Sequence, residues 1–333
     1  MKKLVCLVLA LTVVVLSMEA AGSKEKSVQE RVIIRAGHVN PPGEPAYEAW
    51  EFFKKHMEQR LDKRVEIKLF PQGQLGSERE LIEQVKLGSI EMTAPAVSPL
   101  ALYNPELNVL NLPYIFKSEK ELWSITDGPI GKRLIESTLK QGILILNWWS
   151  TGVRHIFASK PIRTASDMVG MKIRVMENPV FIDAFRALQA LPTPLPYGEV
   201  YQSLATKVVD AAENDSSGYR NMKFYEVAPY YSLTAHLIIV KPVLINPKFY
   251  NNLPADLRKT LDEVLAEATK YQRDLFANNF NSDIEWLKKQ GVKVVEDVRT
   301  EEFQRLMLPV WAKYEKEIGP QLLSDVKAAL GIK

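Results

Sequence analysis

Between residues 253 and 290 the chain reads LPADLRKTLDEVLAEATKYQRDLFANNFNSDIEWLKKQ. Leu257, Leu261, Val264, Ala268, Tyr271, Leu275, Phe276, Phe280, Ile284 and Leu287 recur there at spacings of three and four. That spacing is the apolar face of an α-helix. Pro254 suits a first turn, and Gly291 supplies a stop. At about 1.5 Å per residue the helix would run roughly 50 to 60 Å, more than one ordinary domain is wide. Read as one piece it is a spine touching two domains; the alternative is two helices broken near Asn278 to Asn281.

Elsewhere strand-like runs alternate with amphipathic helices. RVIIRAGHV from Arg31 reads as a strand, followed after NPPGEP by a helix with Ala46, Trp50, Phe53, Met57 and Leu61 on one stripe. VEIKLF is the next strand, and SERELIEQVKLG after it opens on the capping-box pair Ser77 and Glu80 and stops at Gly88. SEKELWSITDG repeats that pattern with Ser118 and Glu121. Then come a buried strand GILILNWWS, the strand GMKIRV, a helix begun by Asn178 and Pro179, and the strand KVVDAAEN. The alternation predicts an α/β protein with largely parallel sheets. In GMKIRV the period of two puts Met171, Ile173 and Val175 on one face, with Lys172 and Arg174 on the other.

The first residues fall outside that pattern. MKKLVCLVLALTVVVLSMEAAGSKEK has a basic start, an apolar run from Leu4 to Leu16 and then small residues. It reads as a secretory signal peptide over residues 1–22, cleaved near Ala21 or Gly22; an uncleaved anchor is the alternative, for which the run is short. Cys6, the single cysteine, lies inside the apolar run, so the mature chain would carry none. Disulfides, thiol catalysis and cysteine-ligated zinc are then excluded, and a large core must supply stability. With 43 basic and 40 acidic residues and no block of like charge, the chain lacks a nucleic-acid footprint.

Catalytic motifs are absent. His38, His56, His155 and His236 are scattered and form no ligand pair, and no nucleophile elbow, phosphate loop or dinucleotide fingerprint occurs. No metal and no cofactor is expected. Glu213 and Asp215 form a carboxylate pair of the kind any chain this long contains; a secreted carbohydrate-active enzyme using them is the rival reading. Polar residues do gather where an α/β protein binds ligands, at the carboxyl ends of strands. His38 and Asn40 follow RVIIRAG, Glu78 opens the helix after VEIKLF, Arg154 follows LILNWWSTG, Arg174 lies near the end of its strand, and Asn214 ends VVDAAE. Two arginines and an amide point to an anion pocket, because a guanidinium grips a carboxylate with two parallel charge-assisted bonds. Taken singly, Arg174 also fits an exposed strand arginine, His38 a satisfied loop histidine and Glu78 a helix-dipole partner.

Three blocks carry a family resemblance: LFPQGQLGSERELIEQVKLGSIEMT, GMKIRVMENPVFIDAFRALQALPTPLPYGEVYQSL and VVDAAENDSSGYRNMKFYEVAPYYSLTAH. In order and over about residues 31–291, they resemble the solute-binding subunits of tripartite ATP-independent periplasmic (TRAP) transporters. The resemblance implies a periplasmic binding protein-like fold: two α/β domains joined by crossing strands, a ligand cleft and a long helix spanning both. It divides the chain into domain I, residues 31–151 plus 240–279, and domain II, residues 152–239 plus 280–333. It implies a periplasmic receptor, not an enzyme, that binds an organic acid and hands it to large and small membrane permease subunits. Carried over, Arg174 binds the carboxylate, Asn214 shares it, Arg154 is a second basic contact and Tyr197 covers the ligand. Glu78, His38 and Ser98 are hydroxyl or water-bridged contacts. Ala211, where the family commonly has glycine, and NDSSGY after Glu213 depart from the pattern beside the amide. The blocks look most like those of sugar-acid receptors, favouring a hexuronate such as glucuronate or galacturonate over a C4-dicarboxylate.

Overall fold

The computed structural model describes residues 31–332, so the signal-peptide reading lies outside the described residues. Nine strands, β1 (Val32–Gly37), β2 (Val65–Phe70), β3 (Met92–Thr93), β4 (Leu144–Ala158), β5 (Lys172–Val175), β6 (Leu191–Pro194), β7 (Ala211–Asn214), β8 (Tyr230–Ile245) and β9 (Lys293–Val295), form one sheet. Its order is β2-β1-β3-β8-β4-β7-β5-β6, with β9 paired to β8.

The sheet is mixed rather than largely parallel. Parallel blocks stand at the two ends, β2-β1-β3 on one side and β7-β5-β6 on the other. Between them β8 and β4 pair antiparallel with each other, and antiparallel with the blocks through β3 and β7. These central strands have 15 and 16 residues, so each reaches roughly 50 Å and belongs to both blocks. Sequence reading caught only the first part of β4. Its later residues, Thr151 and Arg154 among them, break the apolar run because they turn toward a cavity described below.

The long helix is a single piece, Ala255–Lys289, 35 residues or about 52 Å, with no break near Asn278. It lies along the central strands and is fastened to the middle of β4. The Gln272 amide accepts from Ser150 N–H at 2.8 Å and donates to Ser150 C=O at 2.9 Å. Trp149 Nε1 donates to Thr269 at 3.0 Å. Its first half packs with the helix Pro45–Leu61 over β1 and β2, burying Trp50, Phe53, Leu261 and Leu265. The predicted stripe of the Pro45–Leu61 helix is the buried one.

Local signals gave the short helices accurately. Ser77 accepts from Glu80 N–H while the Glu80 carboxylate accepts from Ser77 N–H, and Gly88 closes the helix Glu78–Leu87 in a left-handed conformation. At Ser118 only half the box forms, because Glu121 turns its carboxylate to Lys117 N–H. Asn178 caps the helix Pro179–Ala187. No helix among the described residues is long and apolar enough to cross a membrane.

Candidate functional site

Where β4 and β8 pass between the parallel blocks, their pairing slips between Ser150 and Val153. Gly152 sits at the slip with φ +68°, a conformation that side chains avoid. Beside it is a cavity lined by 15 residues. The loop after β1 contributes Asn40 and Glu44; Glu78 and Ala96 complete that side. From the other block come Arg174 and Met176, Tyr197, Asn214 and Asp215. Ser150, Thr151, Arg154 and Lys241 enter from the crossing strands, and Phe276 from the long helix.

The charges in the cavity are unequally matched. Arg154 forks onto Glu213, Nε to Oε2 at 2.5 Å and Nη2 to Oε1 at 3.0 Å, with both side chains buried. Burial alone would raise the Glu213 carboxyl, but the Arg154 guanidinium beside it holds it down at about 2. Lys241 donates to Glu78 at 2.8 Å, and the same Glu78 oxygen accepts from Ala96 N–H at 3.0 Å. Arg174 is different. It is 3% exposed and its Nε donates to Leu195 C=O at 2.9 Å, yet it has no carboxylate partner among the described residues. Burial presses its guanidinium below the ordinary value despite the more distant carboxylates of Glu213 and Glu78. A buried charge with no counterion is costly, by several kcal/mol, and an anion in the cavity would relieve that cost.

A hydrogen-bonded chain joins the two sides of the cavity. Asn214 Nδ2 donates to the Tyr197 hydroxyl at 3.0 Å, Tyr197 donates to Glu44 at 2.7 Å, and Asn40 Nδ2 donates to the other Glu44 oxygen at 2.5 Å. Gly218 leaves the space for this arrangement, since a β-carbon there would lie 2.1 Å from Asn214 Nδ2 and 3.0 Å from the Tyr197 hydroxyl. Burial and the charge of Asp215 raise the Glu44 carboxyl to about 7. Asp215 accepts from Gly218 N–H at 2.9 Å, and burial raises it to about 6 against the pull of Arg154.

Of the seven ligand contacts expected from sequence, five, Arg154, Arg174, Tyr197, Asn214 and Glu78, line one cavity, together with the strand-end Asn40. His38 and Ser98 do not. His38 is 1% exposed, stacked on Trp50 and edge-on to Tyr47, and burial drives it down to about 3. Ser98 donates to Asn111 at 2.9 Å, and its carbonyl accepts from Asn178. Both sit in packing behind the wall. Sequence reading missed Glu44 and Lys241, although a carboxylate in the loop after β1 and a lone lysine inside LIIVKPVLI were signals. It placed Phe276 only on the helix's apolar stripe. Glu213, held in the rival reading as a catalytic acid, is the ionised counterion of Arg154.

The profile of the family described as bacterial extracellular solute-binding protein, family 7 (DctP), matches residues 36–317. The C4-dicarboxylate-binding periplasmic protein DctP of Rhodobacter capsulatus is 30% identical over 310 residues, 91% of this chain and 92% of its own. Among solved structures, a TRAP periplasmic solute binding protein from Roseobacter denitrificans with bound β-D-glucuronate is 33% identical. It covers 89% of this chain and 99% of its own, with a TM-score of 0.85. Another, from Sulfitobacter with bound β-D-galacturonate, is 31% identical, covers 89% of this chain and 98% of its own, and has a TM-score of 0.84. With most of its length matched and the two-block fold with its spanning helix held in common, the chain belongs to the family-7 extracellular solute-binding proteins, the solute receptors of TRAP transport.

Proposed function

We propose that the receptor binds a hexuronate, such as glucuronate or galacturonate, through its carboxylate and delivers it to a TRAP membrane permease. The observation that carries this is the Arg174 guanidinium, buried on the cavity with no carboxylate partner among the described residues. A ligand carboxylate docks on Arg174 and on the Asn214 amide, with Arg154 as a second basic contact. Tyr197 covers the ligand, and Glu78 orders hydroxyls or water on the opposite wall. His38 and Ser98 act through packing behind that wall rather than by touching the ligand.

The rest of the cavity favours a polyhydroxy acid over a C4-dicarboxylate. Arg154 and Lys241 already face Glu213 and Glu78, so among the described residues lining the cavity one unpaired cation remains for one ligand carboxylate. A second carboxylate would meet Glu44 and Asp215 instead. Sugar hydroxyls can donate to those carboxylates and to the unpartnered Asn40 Oδ1. The relatives with bound glucuronate and galacturonate support this choice, and the C4-dicarboxylate relative names the competitor.

Delivery follows from closure. Domain I, residues 31–151 plus 240–279, and domain II, residues 152–239 plus 280–333, close over the ligand, and contacts such as Tyr197 to Glu44 belong to the closed form. The chain is secreted to the periplasm with residues 1–22 removed, works without chemistry on its cargo, and meets the large and small permease subunits in the closed form.

A calorimetric titration with glucuronate, galacturonate, succinate and a neutral hexose tests the reading, repeated on R174A. The expected result is hexuronate binding that R174A weakens at least a hundredfold, since each charge-assisted bond contributes about 1.5 to 3 kcal/mol. Glucuronate recovered unchanged after long incubation accords with a receptor. Succinate binding alone would overturn the choice of ligand, and hexuronate binding indifferent to R174A would overturn the anchor.

A further inference from the structure

Adjoining the ligand cavity lies a second space of about 240 Å³, lined by Glu119, Gly152, Ser216, Asn279, Phe280 and Asp283 among others. Two residues, Phe276 and Asp215, line both spaces. Asp215 is held by its cap to Gly218 N–H, so the ring of Phe276 is the apolar part of the partition. The ring rests directly on the backbone of β4: a β-carbon on Gly152 would lie 2.9 and 3.0 Å from two of its ring carbons. The strand slip, the positive φ of Gly152 and the fastening of the helix through Gln272 to Ser150 together fix where that ring stands.

We infer that Phe276 is the size filter of the receptor, the wall that limits its cargo to a single sugar-acid unit and shuts off a rear chamber able to take a second, uncharged unit. This rests on the hexuronate reading for the first unit and goes beyond it for the second. The rear chamber presents carboxylates, each already engaged: Glu119 with Ser150, Asp283 with Arg220 and Ser216. They would accept further hydroxyl hydrogens and repel another carboxylate. The excluded cargo admitted on opening the partition is therefore an aldobiouronate, a hexuronate joined to a neutral hexose, and not a diuronate.

The test is calorimetric binding of glucuronate, an aldobiouronate and a diuronate to the purified receptor and to F276A, with F276L as the milder variant should F276A fail to fold. Wild type should bind glucuronate and reject both disaccharides. The variant should raise the ratio of aldobiouronate to glucuronate affinity at least tenfold and still reject the diuronate. A variant that binds glucuronate but excludes the aldobiouronate as strictly as wild type overturns the inference, as does wild type binding the aldobiouronate as tightly as glucuronate. If wild type binds succinate and no hexuronate, the ligand reading fails separately. The filter is then judged by succinate against a 2-substituted succinate bearing a neutral ring, where an unchanged preference in the variant overturns it.

Discussion

Arg154 and Arg174 look alike in the sequence, two strand arginines 20 positions apart, and the structure gives them opposite energetics. Removing Arg154 strands the Glu213 carboxylate in the interior without its fork, a loss that typically destabilises by about 3 to 5 kcal/mol. Removing Arg174 takes away a buried charge that has no carboxylate partner among the described residues. R154A should therefore lower the urea midpoint of the ligand-free receptor, whereas R174A should leave it unchanged or raise it. Equal destabilisation by both would show that Arg174 also has a structural partner. This difference was not legible in the sequence. The strand-end rule finds residues at the mouth of the sheet, and Arg174, Asn214 and Glu78 from it do line one cavity. It says nothing of direction, which is why His38 was read as a contact although its ring turns onto Trp50. Nor does it reveal which cations are already neutralised, because Glu213 lies 59 residues from Arg154.

At the scale of elements, the helices were the readable part. Caps and periodicity are local, and the helices Glu78–Leu87, Pro179–Ala187 and Ala255–Lys289 follow them closely. The crossing strands β4 and β8 were harder, since their polar residues line a cavity and their register slips at Gly152, so the period of two fails beside that cavity. The slip has a measurable tolerance. In G152A the new methyl meets the Phe276 ring at 2.9 Å and the Asp215 side chain at 3.1 Å, in a backbone conformation that already disfavours any β-carbon. Overpacking and the left-handed penalty together should cost about 2 to 4 kcal/mol, read as a lower melting temperature. Pairing G152A with F276L should recover part of that loss by giving the methyl room. If the double variant is no more stable than G152A alone, the ring is not what the glycine accommodates.

For the whole molecule, buried titrating groups set how stability responds to acid. His38 and His155, both pushed down to about 3 by burial, stay neutral in the fold but take up protons when unfolded near 6.5. Their stabilising contribution is complete above 6.5 and is lost as pH falls, by about 2 kcal/mol each between 6.5 and 5. Glu44 works the other way. Raised from 4.5 to about 7, it is most favourable to the fold when protonated, so it returns roughly 2 to 3 kcal/mol over the descent from 7 to 5. Asp215, raised to about 6, returns roughly 1 to 2 kcal/mol more, so the acids nearly offset the two histidines and the melting temperature should fall only slightly between pH 7.5 and 5. E44Q, which cannot take up that proton, should fall more steeply than the wild type. A parallel decline in the two proteins would mean that Glu44 titrates near its ordinary value.

The unbroken helix carries one more consequence. It is buried at intervals from Leu257 to Leu287, against one apolar core over β1 and β2 and against another beside Tyr219 and Phe224. A third core runs continuously from Val39 to Val326 and draws on both ends of the sheet. Melting either end strips cover from the same helix and the same core that the other end needs. The two halves of this receptor should therefore lose structure together, seen as coincident urea transitions of Trp50 fluorescence at one end and of a probe placed beside Tyr219 at the other; two separated transitions would show that the shared helix does not couple them.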